Sequence, residues 1–260
     1  MDKYNVYQDM SRRTGGEIYL GIVGPVRTGK STFIKRFMEL VVIPEMADDN
    51  EKVRTIDELP QSADGKTIMT TEPKFIPKEA AVIHFSNQET GKIRLIDCVG
   101  YLVPEAVGAI EEEKERMVKT PWSEEEIPFS KAAEIGTSKV IREHSNLGLI
   151  ITTDGSFGDI PAVNFEEALQ KTVMECEKAG KPFLILVNTS RPDSQETIQF
   201  TKRLEAQYGK TVMAVNCKTM DREDVFRIME QLLADFPITR LNFLLPKWVE
   251  FLQPDNWLKQ

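Results

Sequence analysis

The sequence predicts an α/β fold: a mostly parallel sheet with one antiparallel edge strand and helices on both faces. Three observations lead there. Short β-rich apolar runs recur at 18–23, 81–85, 93–97, 147–152, 183–188 and 212–216. Between the later runs lie stretches with a 3.6-residue apolar period, at 132–144, 165–179, 198–208 and 225–236, and strands that alternate with such helices form parallel sheets covered on both sides. The runs at 81–85 and 93–97 are instead separated by the polar stretch SNQETGK, which reads as a hairpin and supplies the antiparallel edge strand.

The first strand, Ile18, Tyr19, Leu20, Gly21, Ile22 and Val23, leads into GPVRTGKS, a full match to the phosphate-loop pattern G-x-x-x-x-G-K-[ST]. Gly24, Pro25, Val26, Arg27, Thr28, Gly29, Lys30 and Ser31, with Thr32 behind them, are therefore candidate contacts to a nucleoside triphosphate. Gly24 and Gly29 let the backbone curl until its N–H groups face the phosphates. Lys30 reaches the β and γ oxygens, and Ser31 offers its hydroxyl to Mg²⁺. The helix that starts there adds the positive end of its dipole, and Thr32, Phe33, Ile34, Phe37, Met38 and Leu40 give it an apolar face.

Two long, charged, proline-containing segments, 44–78 and 101–129, are expected as loops, and loops of that length in a compact domain are functional or mobile. They fall where a GTPase carries its two switches. The first contains GKTIMTTEP with adjacent Thr70 and Thr71. A γ-phosphate sensor needs a hydroxyl that meets Mg²⁺ only when the triphosphate is present. In an extended loop only one of the two faces the metal; Thr71 is favoured as ligand and Thr70 as support, with the order open. The run Glu111, Glu112, Glu113, Lys114, Glu115, Arg116 in the second reads as a solvated helix face.

The run at 93–97 ends in Asp97, Cys98, Val99, Gly100, a D-x-x-G. Placed after a phosphate loop it is the expected second half of the Mg²⁺ site, with Asp97 holding the metal through water and the Gly100 N–H meeting the γ-phosphate. The fold class is thereby narrowed to a P-loop NTPase of the GTPase-like class.

Base recognition departs from that class. A GTPase carries N-K-x-D after the strand at 183–188, whereas this chain reads Asn188, Thr189, Ser190, Arg191. Arginine has only donors and cannot accept the guanine N1 and N2 protons, and Asp193 comes two residues too late. Adenine is the better match for a site containing Asn188 and Arg191. After D-x-x-G many GTPases place Gln or His to orient water, and this chain places Tyr101. Hydrolysis is then slow unless a neighbour supplies the missing group, as in a self-assembling protein, or unless Arg27 acts from within the loop on charge developing at the β/γ bridge. The alternative for Arg27 is a solvent-facing side chain.

Composition sets further bounds. A net charge of −8 argues against a surface that tracks nucleic acid or an anionic membrane by charge alone. Three cysteines without metal spacing, Cys98, Cys176 and Cys217, fit a reducing compartment. Cys98 and Cys217 lie on apolar runs and read as core. His84, on a strand, and His144, at a helix end, lack catalytic or metal-ligating partners at telling spacing and read as structural. No apolar run has membrane-spanning length and residues 1–16 carry no apolar signal region, so a cytoplasmic protein is expected. The chain divides into a lead-in at 1–16, the NTPase domain at 17–237, and a tail at 238–260. That tail, with an expected strand at 241–245, packs on the domain or begins a further region.

The strings EIYLGIVGPVRTGKSTFIKRFMELVV, ELPQSADGKTIMTTEPKFIP, IRLIDCVGY, AAEIGTSKVIREHS, ITTDGSFGDI and LPKWVEFL resemble the stage IV sporulation protein A family, coat morphogenetic ATPases of endospore-forming bacteria. The resemblance runs from about residue 4 to the end. This family looks like a branch of the translation-factor-related GTPases that turned to ATP. The resemblance implies ATP and Mg²⁺ as ligands, Lys30 and Ser31 in the phosphate loop, Asp97 at the metal, and Thr70 and Thr71 as the threonine sensor. It further implies a mother-cell cytoplasmic protein that polymerises with itself on the forespore surface. A small amphipathic membrane-associated peptide recruits it there and other coat proteins bind it, through regions beyond this chain, with no direct membrane insertion. Thr153, Asp154 and Gly155 belong to one of these strings and read as a turn.

Three functional classes stand on this reading. They are an ATPase whose cycle drives assembly, a nucleotide-holding structural module without meaningful turnover, and a guanine switch with an unusual base site.

Overall fold

The computed structural model describes residues 16–60, 72–84, 90–106, 110–111 and 114–234. The strands of the main sheet are β1 (Glu17–Val23), β2 (Lys74–His84), β3 (Thr90–Asp97), β8 (Leu147–Thr153), β9 (Phe183–Asn188) and β10 (Val212–Val215); β4 (Ile110–Glu111) pairs with β5 (Lys114–Glu115), and β6 (Met117–Thr120) with β7 (Ser123–Pro128). The helices are α1 (Lys30–Phe37), α2 (Asp49–Glu58), α3 (Phe129–Lys139), α4 (Glu166–Ala179), α5 (Gln195–Tyr208) and α6 (Arg222–Ala234). The six-stranded sheet has the order β10-β9-β8-β1-β3-β2. Every neighbouring pair is parallel except β2 with β3. This is the arrangement of GTPase-like P-loop domains, as the sequence predicts.

Both faces of the sheet are buried, and side chains alternate between them with the period of a strand. On β9, Leu184 and Leu186 join one core with Ile18, Leu20 and Ile22 of β1, Phe33, Ile34 and Phe37 of α1, and Ile228, Met229 and Leu232 of α6. Phe183, Ile185 and Val187 face the other way, toward Leu169, Val173 and Cys176 of α4 and Leu204 of α5. A fully buried side chain of this size contributes about 1.5–3 kcal/mol, so these two layers, not helix propensity, hold the strand ends in place. A third, smaller cluster of Val26, Tyr101, Val103, Ile160, Phe165 and Ala168 lies beside the phosphate loop.

The helix ends follow local chemistry. The Asp48 carboxylate accepts from the Asn50 and Glu51 amides at the start of α2, and the Ser194 hydroxyl accepts from the Thr197 amide at the start of α5. Left-handed Gly180 and Gly209 close α4 and α5. Helices α1 and α3 each run into a π turn, Met38–Val42 and Val140–His144.

Two expected loops contain regular structure. Segment 44–78 holds α2, capped by Asp48, and the first residues of β2, which begins at Lys74 rather than at 81. Pro77 and the register break between Ile76 and Ala81 interrupt the apolar alternation that marks a strand. Segment 101–129 holds β4 to β7. The acidic run expected as a helix face instead holds β5 and the last residue of β4, with Glu111 in register with Lys114; six residues are too few to nucleate a helix without a packed face. The strand expected at 241–245 lies outside the described residues.

Candidate functional site

Strand β1 lies between β3 and β8, so chain connections leave it in opposite directions and open a crevice at the carboxyl ends of the strands. Residues Gly24 to Ser31 fill the floor of that crevice. Gly24 has φ +131°, and a Cβ there would sit 2.3 Å from the Ile151 carbonyl oxygen; Gly29 has φ +94°, and a Cβ there would sit 2.3 Å from Asn188 Nδ2. Neither position admits a side chain. Arg27 is exposed at the loop's crest in the left-handed region, φ 63°, a conformation that non-glycine residues seldom adopt. The Thr28 hydroxyl donates to the Pro25 carbonyl at 3.0 Å, and the Val26 amide donates to the Tyr101 carbonyl at 2.9 Å, tying the loop to the chain after β3.

Lys30 opens α1 and is buried, its Nζ donating to the Pro25 carbonyl at 2.5 Å and to Gly24 at 3.4 Å. Burial pulls its ammonium below the usual lysine range, against the charges of Cys98 and Asp97. At the next residue, the Ser31 hydroxyl donates to Asp97 Oδ2 at 2.8 Å. Asp97 is the last residue of β3 and stands in register with Ile22 of β1. Its second oxygen, Oδ1, is buried with no hydrogen-bond partner among the described residues. Burial raises the Asp97 carboxyl above the usual carboxylate range, against the Ser31 hydrogen bond and the Lys30 charge. An orphaned carboxylate oxygen beside a serine hydroxyl matches the hard oxygen donors that Mg²⁺ requires. Gly100, φ +93°, packs so closely that a Cβ would lie 2.0 Å from the Gly24 carbonyl oxygen and 2.7 Å from Lys30 Nζ. The phosphate loop, the end of β3 and the D-x-x-G turn therefore form one connected surface.

The other candidates border that surface or lie off it. Asn188, at the end of β9, donates through Nδ2 to the Thr28 carbonyl at 3.0 Å and accepts from the Cys217 amide at 3.0 Å. It clasps the phosphate loop to the loop after β10. Arg191 is exposed and pairs with Glu196 at 3.2 Å. The Tyr101 ring is buried in the third cluster beneath Lys171, 5.0 Å from ring centre to Nζ, and burial pushes its phenol well up. It is part of the wall that supports Val26. Thr32 follows Ser31 in the first turn of α1 and is partly exposed. Thr70 and Thr71 lie outside the described residues.

All three cysteines are buried and unpaired as disulfides. His144 packs edge-on against Phe75 at 5.3 Å, and His84 lies on β2. Among the described residues no group of three or more His, Cys, Asp or Glu could hold a metal, and no helix is long and apolar enough to cross a membrane.

One group escaped the sequence reading. Thr153 and Asn188 are register partners at the ends of β8 and β9, and the loops beyond them meet through Asp154, Ser156 and Thr189. The available signal was hydroxyl and carboxylate side chains clustered just past two strands that neighbour each other in a parallel sheet.

A family model described as stage IV sporulation protein A, ATPase domain, matches residues 1–237. The stage IV sporulation protein A of Bacillus subtilis (strain 168) is 49% identical over 260 residues, which is 100% of this chain and 53% of that protein. That of Bacillus anthracis is 48% identical over the same 260 residues, again 53% of its length. That of Clostridioides difficile (strain 630) is 48% identical over 255 residues, 98% of this chain and 52% of the relative. The chain thus spans about half the length of the curated relatives it matches.

Proposed function

The chain belongs to the stage IV sporulation protein A family through its ATPase domain, and on that premise we propose that it binds ATP with Mg²⁺ and hydrolyses it slowly to ADP and phosphate. The nucleotide cycle drives self-assembly into the basal layer of the bacterial spore coat. The protein acts in the mother-cell cytoplasm at the outer forespore surface, with further copies of itself, other coat proteins and a small amphipathic membrane-associated peptide as partners. The other coat proteins and the peptide are engaged through regions beyond this chain, and neither nucleic acid nor membrane insertion has a part.

The observation that carries this reading is the Ser31–Asp97 pair at 2.8 Å with Asp97 Oδ1 buried and unpartnered. Ser31, Asp97 and one hydroxyl of Thr71 or Thr70 would hold Mg²⁺, which when bound neutralises charge across the β and γ phosphates. Lys30 swings from the Gly24 and Pro25 carbonyls onto the phosphate oxygens. The amides of residues 24–32 and of Gly100 cradle the anion, aided by the dipole of α1. Arg27, exposed at the crest of the loop, meets charge developing at the β/γ bridge. Asn188 keeps the loop in register, and Arg191, a donor-only side chain, disfavours guanine.

Tyr101 gives a second reading some support. Its ring is packed in the third apolar cluster, a place that suits a nucleotide-holding module without turnover. Phosphate release from ATP by the native chain and by Lys30→Ala separates the two: the ATPase reading expects a slow rate that the substitution removes, and equal rates would refute it. Competition of ATP and GTP for a fluorescent nucleotide tests the base, and a preference for GTP would overturn the adenine assignment.

A further inference from the structure

The loops that follow β8 and β9 are laced together by side chains that reach from one to the other. Thr189 is fully buried, and its hydroxyl is the hub. It donates to Asp154 Oδ2 at 2.6 Å, and it accepts from the Arg191 amide at 3.2 Å and from Ser156 Oγ at 3.4 Å. Asp154 Oδ1 accepts from the Ser156 amide at 3.0 Å, and Ser156 Oγ accepts from the Ser190 amide at 2.8 Å. The Thr189 amide itself donates to Val215 of β10 at 2.9 Å. Three consecutive backbone amides, at 189, 190 and 191, are thus held by β10, by the loop after β8 and by the Thr189 hydroxyl of their own loop.

The location gives this network its meaning. Asn188, the residue before Thr189, holds the phosphate loop at Thr28. Residues 188–191 occupy the position where a related nucleotide site reads the base, and Thr189 stands where such a site carries a lysine whose stem packs on the ring. A side chain with no exposed surface cannot touch a ligand. It can fix the backbone around it, and a hydroxyl bonded to a carboxylate does so more firmly than a neutral pair.

We infer that Asp154 and Thr189 are positioning residues for nucleobase recognition, setting the 189–191 backbone against the Asn188 clasp so that the site discriminates adenine from guanine. The inference rests on the cleft being a nucleotide site, and it extends that reading to two residues that touch no nucleotide.

The test measures displacement of a fluorescent ATP analogue from the full chain by ATP, by GTP and by inorganic tripolyphosphate, all with Mg²⁺. Thr189→Val, which keeps the shape and removes the hydroxyl, and Asp154→Ala each weaken ATP about tenfold and narrow the ratio between ATP and GTP. Tripolyphosphate, held only by the phosphate loop, stays within about twofold of the native value, and Thr189→Ser restores native behaviour. If Thr189→Val does not fold, Ser156→Ala removes the acceptor of the Ser190 amide and gives the same pattern at a few-fold scale. The inference is overturned if ATP affinity is unchanged in these variants, or if tripolyphosphate falls in step with ATP. A native chain that binds ATP while the variants match it removes this inference alone; a native chain that binds none of the three ligands removes the nucleotide reading as well.

Discussion

Ser31 and Asp97 lie 66 positions apart in sequence and meet at 2.8 Å, hydroxyl to carboxylate. Parallel pairing of β1 with β3 brings them together: it sets Asp97 beside Ile22, two residues before the phosphate loop begins. The loop then returns the chain so that the first turn of α1 faces the end of β3. The hydrogen bond satisfies one carboxylate oxygen and leaves the other buried with no partner among the described residues.

Phosphate grip and turnover should separate by residue. Lys30→Ala removes the charge proposed to meet the phosphates and is expected to weaken ATP binding and abolish phosphate release together. Asp97→Ala leaves Lys30 and the loop amides in place, so turnover falls by about a hundredfold or more while ATP affinity falls by less than about tenfold. Steady-state phosphate release and nucleotide titration check both; an equal loss of binding in the two variants would contradict the division of labour.

Asp97 should cost the nucleotide-free protein stability at neutral pH. Burial raises its carboxyl in the folded chain, so the folded state holds that proton more tightly than the unfolded state does. Stability attributable to this group then falls as pH climbs from the unfolded aspartate range, about 4, through the folded value, and stays lower above it. Asp97→Asn is expected to stabilise the metal-free chain at pH 7 by about 1 kcal/mol while removing turnover. Urea unfolding at pH 7 and pH 4 checks this: the gain appears at the higher pH and shrinks at the lower, and a loss of stability at pH 7 would refute it.

The glycines of the phosphate loop should respond differently from glycines at helix ends. Gly24→Ala combines a left-handed backbone with a Cβ 2.3 Å from the Ile151 carbonyl oxygen, and is expected to cost more than about 2 kcal/mol and to abolish nucleotide binding. Gly180→Ala has a left-handed φ but nothing within 4 Å of the new Cβ, and is expected to cost about 1 kcal/mol with binding intact. Thermal melts and nucleotide titration of the two variants provide the comparison.

The cysteines should be silent. Burial pushes the Cys98 thiol up to about 11 and the Cys176 thiol up to about 12, and raises that of Cys217 further. Thiolate is the reactive form, so a maleimide at pH 7 is expected to leave the native chain unlabelled and to modify all three cysteines in denaturant, as read by intact mass. Rapid labelling of any cysteine in the native chain would contradict the packing of both sheet faces.

What the sequence disclosed and what it hid divide along physical lines. The phosphate loop was legible because its chemistry demands specific residues at fixed spacing, and the strands at 147–152 and 183–188 because both faces of a buried parallel strand are apolar. Helix α2 was hidden within an acidic, exposed segment whose only clear sign is the Asp48 cap. The first part of β2 was hidden by Pro77 and its register break. The run from Glu111 misled because its charge pattern suits a helix face, while six residues without an apolar stripe give a helix nothing to pack. The Asp154–Thr189 contact was invisible for another reason: it joins residues 35 apart that only the β8–β9 pairing makes neighbours.

The central claim is that Ser31 and Asp97 form, with a bound adenine nucleotide, the seat of a magnesium ion. Calorimetric titration of ATP into the native chain and into Asp97→Ala, each with and without Mg²⁺, tests it most directly. The native chain is expected to gain about three- to fivefold in ATP affinity when Mg²⁺ is added, and Asp97→Ala to gain little or nothing. An equal gain in both proteins, or no binding of ATP by the native chain, would contradict it.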